Sequence, residues 1–455
     1  MIEDTIAAVS TAKGKGGVAM IRISGPDALE VAKRVFRTHG SQVVPRRCLY
    51  GDIIRENEII DDGTLTYFAA PHSYTGEDVC EICCHGGIYV TSAVLEAVLS
   101  SGARIAGAGE FTRRAYINGK LTLSRAEAVG GVIDAVTDNQ LKLSSSQERG
   151  VLSAKISEIR EIMLAMLSRS YATIDYPDED IEDLEREEMR HSLDKIVSEL
   201  ENLKKSYRAG RAIAEGIKTS IAGKPNSGKS TLYNRIFGSD VSIVTDIEGT
   251  TRDIIEHTVS LGGVTLSLSD TAGIRETTDT VEKIGVERAK SKINDAELVI
   301  CVFDASTEES TLDDEIISLA CGKSAIAIIN KCDKEKKISS EFEKKIKDNF
   351  RYVIYISAKT GEGVSIISET VAKMYDLSQI NISSDAVISN ARQHSSVKLA
   401  LDGAKEAREA LISGESNDIV CYSLERALAE LEMIDSRNVS EEIVDEIFSH
   451  FCVGK

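Results

Sequence analysis

The chain has 455 residues, of which 42% are apolar, so it is long enough for two to four domains and rich enough in apolar side chains to bury their cores. Its 54 Lys and Arg against 73 Asp and Glu leave a formal charge of −19, which excludes a uniformly basic nucleic-acid-binding surface. No apolar run reaches the length of a membrane span, and nine cysteines without framework spacing fit a reducing compartment.

The first 120 residues hold 13 Lys and Arg against 14 Asp and Glu, so nearly all the excess negative charge lies further along. The N-terminus "MIEDTIAAVSTAKGKGG" has no basic region followed by an apolar block, and a cytoplasmic protein is expected. Residues 1–118 alternate β-like runs ("GVAMIRIS", "TLTYFAA", "DVCEICCHGG") with one helical pattern, "GIYVTSAVLEAVLSSG". This reads as an α+β domain. Cys80, Cys83, Cys84 and His85 have the residue types of a zinc site, but on one extended strand they point to opposite faces and cannot converge on one ion. Packing thiols are expected there.

Residues 119–215 carry helical periodicity with hardly a turn residue. Within them "DYPDEDIEDLEREE" holds nine acids and one base, a solvated loop and helix start or a docking surface for a basic partner. From 216 to 377 strands alternate with helices, which argues a mostly parallel sheet covered on both faces. Helical patterning returns over 378–455. The expected fold is therefore multidomain: an α+β N-terminal domain, an α-helical central domain in two halves that pack together, and an α/β P-loop domain inserted between them.

The inserted segment carries the chemistry. "GKPNSGKST" at 223–231 follows an apolar strand and opens a helix, as a phosphate loop must. Its glycines let successive N–H groups face phosphate oxygens, Lys229 supplies charge and Ser230 a Mg²⁺ ligand, with Asn226, Ser227, Gly228 and Thr231 completing the loop. "DTAG" places Asp270 near a Mg²⁺-bound water and the Gly273 N–H near a γ-phosphate, flanking Thr271 and Ala272. In "NKCD", Asn330, Lys331 and Asp333 suit guanine: the Asp333 carboxylate accepts from the ring N–H and exocyclic amine, and Lys331 lies across the base. "SAK" (Ser357, Ala358, Lys359) aims the Ala358 N–H at the guanine carbonyl oxygen. Four motifs in this order, each at a strand's C-terminal end, form a GTP site.

This segment resembles the Era/Obg-like branch of translation-factor-class GTPases. One departure matters: Ile274 stands directly after "DTAG", where Ras-like proteins place the Gln that orients water. Asn226 and the backbone carbonyls of Thr245, Ile247 and Thr250 could ring a K⁺ beside the phosphates, and Thr251 is the natural second protein ligand for Mg²⁺. Glu282 could orient a water network.

The whole chain resembles the tRNA-modification GTPase family MnmE, also called TrmE, of the TrmE-Era-EngA-YihA-Septin-like superfamily. The residues that carry this are "IRISG" (21–25), "SYTGEDVCEICCHGG" (73–87), "GEFTRRAYINGKLTLSRAEAV" (109–129), "DIEGTTRD" and the terminal "FCVGK". The resemblance implies an N-terminal domain that makes a homodimer and binds 5-formyl- or 5,10-methylene-tetrahydrofolate through positions matching Arg22, Glu81, Lys120 and Lys455. It also implies K⁺ ligands at Asn226, Thr245, Ile247 and Thr250, Mg²⁺ ligands at Ser230 and Thr251, a catalytic Glu282, and a tRNA-modification role for the Cys452 thiol.

The implied activity is K⁺-activated GTP hydrolysis coupled to installing an aminomethyl or carboxymethylaminomethyl group on C5 of the wobble uridine of certain tRNAs. The implied partner is the flavoprotein MnmG (GidA), with FAD and NADH, in a heterotetramer. "STAKGKGG" departs from the family by lacking its proline pair. Two other readings stay open: a regulatory or ribosome-assembly GTPase with a folate-binding domain, and a stand-alone folate-dependent aminomethyltransferase.

Overall fold

The computed structural model describes residues 4–40, 42–175, 186–239, 257–268, 293–435 and 440–454. By its contacts the chain divides into two compact units, residues 1–130 with 432–455, and residues 131–431.

The first unit is built on a seven-stranded sheet of order β3-β4-β5-β6-β2-β1-β7. Its strands are β1 (Ile6–Val9), β2 (Val18–Ser24), β3 (Phe36–Thr38), β4 (Cys48–Arg55), β5 (Glu58–Phe68), β6 (Val79–His85) and β7 (Arg104–Ile105). All pairings are antiparallel except β1 with β7. Between β4 and β5, Glu56 and Asn57 both take positive φ (52° and 69°), the two-residue turn whose twist matches a hairpin.

The helices Ala28–Val35 and Ile88–Ser100 bury Val31, Val35, Val94 and Val98 against Ile21, Ile23, Ile53, Leu65 and Ile82. Each such fully buried aliphatic side chain contributes about 1.5–3 kcal/mol. Along β6 the alternation expected from sequence is present: Cys80 and Cys84 are buried in this core, Cys83 is half-buried and His85 is exposed. Burial pushes the Cys80 thiol up to about 12 and Cys84 to about 11, so both are packing groups held neutral.

The end of the chain belongs to this same unit. Val444 and Phe448 of the helix Glu441–Ser449 pack on Tyr116, Leu123 and Ala126, and Phe451 extends the cluster. Within 378–455, read from sequence as helical, the last helix buries its aromatic side chains on N-terminal residues.

The second unit contains the helices Asp138–Glu148, Val151–Asp175, Arg186–Ala214, Ala391–Ile412 and Asn417–Glu432 and a six-stranded sheet. Leu193, Val197, Leu200 and Leu203 lie on one side of the long helix, and Val397, Leu401, Ala404 and Leu411 bury the facing helix. These two helices, separated by the whole inserted segment, pack along one another as expected. The sheet runs β13-β12-β11-β8-β10-β9, from β8 (Ile217–Ala222), β9 (His257–Leu261), β10 (Val264–Leu268), β11 (Leu298–Asp304), β12 (Ser324–Asn330) and β13 (Tyr352–Tyr355).

Five of the strands are parallel, and β9 is an antiparallel edge joined to β10 by a hairpin. All seven residues of β11 are buried, the pattern of a central strand covered on both faces. The hairpin is tied to the helix Asp138–Glu148: Asn139 Nδ2 donates to Gly263 O at 2.8 Å. Gln140 Nε2 reaches Ala214 O at 3.1 Å at the end of the long helix. Because β8 lies between β10 and β11, the chain leaves β8 at the point where strand order reverses, which is where open α/β sheets bind ligands.

Candidate functional site

The loop after β8 turns over residues 223–228 and enters the helix Lys229–Ser239. Lys229 is folded back over the loop, its ammonium donating to Gly223 O at 2.8 Å and Lys224 O at 2.9 Å. Burial lowers its pKa from the ordinary lysine value. Ser227 is fully buried and its hydroxyl has no hydrogen-bond partner among the described residues, an unspent donor inside the loop. Such a cage of turned backbone, one lysine and an unspent hydroxyl fits a phosphate chain.

Asn330 joins three of the motifs. Its Nδ2 donates to Ser227 O at 2.9 Å, and its Oδ1 accepts from the Ala358 N–H at 2.9 Å. The Ala358 N–H expected to face a guanine oxygen is thus directed at Asn330, which braces the "SAK" turn against the phosphate loop. Lys331 takes a left-handed φ of 64°, and its ammonium donates to Asn226 O at 2.6 Å and pairs with Asp304 at 2.6 Å. Asp304, at the end of β11, is buried; burial alone would raise its pKa, but hydrogen bonds from Lys331 and Ser306 hold it below the usual carboxylate value. Sequence reading missed Asp304, since nothing in "VICVFD" marks its acid as the partner of a lysine 27 residues on.

Ser357 Oγ donates to Asp333 Oδ1 at 2.6 Å, and this bond lowers the Asp333 pKa, keeping the carboxylate an acceptor for two base N–H groups. Ser230 opens the helix beside Lys229, Thr231 follows it exposed, and Lys359 is exposed beyond the "SAK" turn. Thr245, Ile247, Thr250, Thr251, Asp270, Thr271, Ala272, Gly273 and Glu282 lie outside the described residues, as does Lys455.

A second group forms in the first unit. Arg22 on β2 stands opposite Glu81 on β6 in the strand register, and the two make an ion pair at 2.8 Å with side chains only 15% and 21% exposed. The Arg22 guanidinium lies 5.3 Å from the Tyr74 ring centre and 5.7 Å from that of Phe111. Both aromatics were missed as site residues, although Tyr74 belongs to the quoted "SYTGED" stretch. Lys120 lies against Gly76 of that same stretch and donates to Pro71 O at 3.0 Å. Beneath it, fully buried Arg114 pairs with Asp4, Glu77 and Glu110, and Ser24 donates to Glu77 at 2.7 Å, fixing the loop that carries Tyr74.

The C-terminal tail runs into this region. Val453 forms an isolated antiparallel bridge with Ala108, and Ser10 Oγ donates to Gly454 O at 2.9 Å. Gly454 has φ 99°, and a Cβ there would lie 2.2 Å from Val9 O, so glycine lets the tail cross the end of β1. Ala8, the neighbour of Val9, is the register partner of Arg22. Cys452 is exposed. Arg22, Glu81 and Lys120 therefore share one unit with the tail, and cations, a carboxylate and two aromatic faces suit a flat heterocycle bearing carboxylates.

Among the described residues no helix is long and apolar enough to cross a membrane. A family model described as the GTP-binding protein TrmE N-terminus matches residues 5–120, and one described as the MnmE helical domain matches residues 123–452. The chain is 41% identical over 458 residues to the tRNA modification GTPase MnmE of Clostridioides difficile, covering 100% of both. It is 40% identical over 463 residues to the protein of the same name from Thermoanaerobacter sp., again covering 100% of both. The Carboxydothermus hydrogenoformans protein of that name is 41% identical over 462 residues at the same full coverage. With its nucleotide motifs stitched together on an α/β sheet and its length matched end to end, this chain belongs to the MnmE family of tRNA modification GTPases.

Proposed function

We propose that this chain is a K⁺-stimulated, Mg²⁺-dependent GTPase of the cytoplasm, working as a homodimer. With a flavoprotein partner (MnmG) that carries FAD and uses NADH, it installs an aminomethyl-type group on C5 of the wobble uridine of certain tRNAs. The one-carbon unit comes from 5-formyl- or 5,10-methylene-tetrahydrofolate. Residues 1–118 hold the dimer contact and, with Lys120 and Lys455, the folate; 216–377 hold the GTP, and 119–215 with 378–455 form the helical domain. The observation that carries the GTPase reading is the joining of phosphate loop, "NKCD" and "SAK" through Asn330.

In this reading Lys229 and the loop N–H groups hold the phosphates, Asp333 reads the guanine edge and Lys331 covers its face. Ser230 and Thr251 would hold Mg²⁺, and Asn226 with Thr245, Ile247 and Thr250 would hold K⁺. These cations supply positive charge where the departing phosphate develops negative charge. Glu282 orients the water that Ile274 cannot. In the first unit Arg22, Glu81, Lys120 and Lys455 bind the folate, whose bound form supplies the carbon.

Hydrolysis is expected to run on the order of 10- to 100-fold faster in K⁺ than in Na⁺, since a ring of oxygens selects by cavity size and a lost charge at the phosphates costs about that much. Asn226→Ala should erase the difference while Lys331, which meets Asn226 at its backbone carbonyl and is also held by Asp304, keeps its place. Steady-state turnover in the two salts checks this, and equal rates would remove the cation assignment. The function as a whole is tested by a nucleoside mass-spectrometric profile of tRNA from cells lacking the chain. Loss of the C5-substituted wobble uridine is expected; an unchanged profile with defective ribosome assembly would favour a regulatory GTPase instead.

A further inference from the structure

The second unit carries a cationic groove at the end of its sheet remote from the nucleotide motifs. Lys323 directly precedes β12 and Arg351 directly precedes β13, whereas "NKCD" and "SAK" follow the opposite ends of those strands. Arg208 of the helix Arg186–Ala214 and Lys373 of the helix Val364–Met374 close the same cavity, whose volume is about 340 Å³. Asp376 is the single carboxylate in its lining, against these four cations.

Their states differ in an informative way. The Lys323 ammonium is spent on Ile293 O at 2.6 Å and Asn294 O at 2.7 Å. Arg208, Arg351 and Lys373 are exposed and make no ion pair with any described residue. Elsewhere in this acidic chain, surface cations are repeatedly matched, as Lys155 with Glu199, Lys405 with Glu201 and Arg408 with Asp194. The two free guanidinium groups are not loose: Arg208 lies 5.6 Å from the ring centre of buried Tyr375, and Arg351 lies 5.5 Å from that of Tyr352. A guanidinium seated on an aromatic face keeps its hydrogen-bonding edge outward and loses less entropy on engaging a phosphate.

Arg208 also lines a larger adjoining groove of about 1040 Å³, where Tyr207 and His394 are stacked at 4.1 Å with their planes 14° apart. Its border is of mixed charge: Lys204 and Lys205 lie there with Glu199, Glu201, Asp376 and Asp385, and Lys155 and Lys405 are already paired with the two glutamates. The unmatched cations are therefore those of the smaller cavity, and two guanidinium forks held with their edges outward suit the paired oxygens of successive phosphates on a sugar-phosphate backbone.

We infer that this groove, organised by Arg208, Arg351 and Lys373, is a docking surface for the phosphate backbone of tRNA. The inference rests on the tRNA reading proposed above. It resolves the conflict between an RNA substrate and a chain of charge −19, because the acidic excess is set aside locally where three cations stand unmatched. It also separates RNA contact from GTP chemistry by the length of the sheet, so either can be removed alone.

The test uses the full chain and an unmodified tRNA transcript, with affinity measured between about 50 and 200 mM salt. The variant is the triple charge reversal Arg208→Glu, Arg351→Glu, Lys373→Glu, with Arg208→Gln, Arg351→Gln, Lys373→Gln as the milder form. The expected results are an affinity loss of about tenfold or more, a salt-dependence slope reduced by about three, and unchanged GTP turnover, which also shows that the fold is intact. Wild-type binding that survives in both variants with an unaltered slope would overturn the groove and leave the tRNA reading standing. Failure of the wild type itself to bind the transcript would overturn both. Retained tRNA affinity with lost capture of the flavoprotein partner would show the surface to be a protein interface and sink the proposal.

Discussion

Replacing Gly228 by alanine is expected to abolish GTP binding, with affinity falling by at least about 100-fold, or about 2.7 kcal/mol. Gly228 has φ 99°, and a Cβ built on it would lie 2.2 Å from Asn330 Nδ2. The backbone strain alone costs about 1–2 kcal/mol. The larger effect comes from what Asn330 does: its amide ties Ser227 O to the Ala358 N–H, so pushing it aside uncouples the phosphate loop from both base-recognition motifs at once. Isothermal titration with GDP and a thermal melt check the two components separately. Affinity retained within threefold would mean that the loop relaxes without Asn330 and that its bracing role is wrong.

Deleting residues 451–455 is expected to eliminate wobble-uridine modification while leaving K⁺-stimulated GTP hydrolysis close to that of the intact chain. The tail is a structured strap: Phe451 packs 5.3 Å from Phe448, ring centre to ring centre, Val453 bridges Ala108, and Gly454 is held by Ser10. Every one of these contacts lies in the first unit, and the nucleotide motifs lie in the second. Removing the strap uncovers Phe448 and Tyr116, so the first unit should also lose on the order of 1–3 kcal/mol of stability.

Gly454→Ala is the sharper variant, because it keeps every other side chain and only drives a methyl into Val9 O. Loss of modification with an unchanged melt would then assign the effect to the path of the tail at Gly454 rather than to stability. Since Cys452 is exposed, a packing role for its thiol is not available, and Cys452→Ser reads its chemistry directly. Normal modification by both the deletion and Gly454→Ala would reduce the strap to a structural element.

The turn after β8 and the "NKCD" and "SAK" stretches were legible as loops at strand ends because each is a local device. A glycine-rich turn between an apolar strand and a helix, or "NKCD" closing the strand "AIAII", needs only its own neighbours to declare its geometry. The same holds for β6, where the period of two separates Cys80 and Cys84 from His85, and the fold then decides that the two thiols face inward. The reading of 216–377 as a mostly parallel sheet did not mark β9, which pairs antiparallel with β10 across a turn at Gly262 and Gly263.

The sequence by itself determined the order of the parts, the alternation of strand and helix in the inserted segment and the return of helix after it, because strand and helix periods and turn residues are encoded over a few positions. Only the tertiary structure decided that Arg22 meets Glu81 across two strands, and that Asp304 is the partner of Lys331. It alone also joined the last residues to β1 and brought cations from four separate elements to one groove in an acidic chain. These pairings depend on strand register and on which buried surface a distant aromatic finds, and neither leaves a signature within the residues involved.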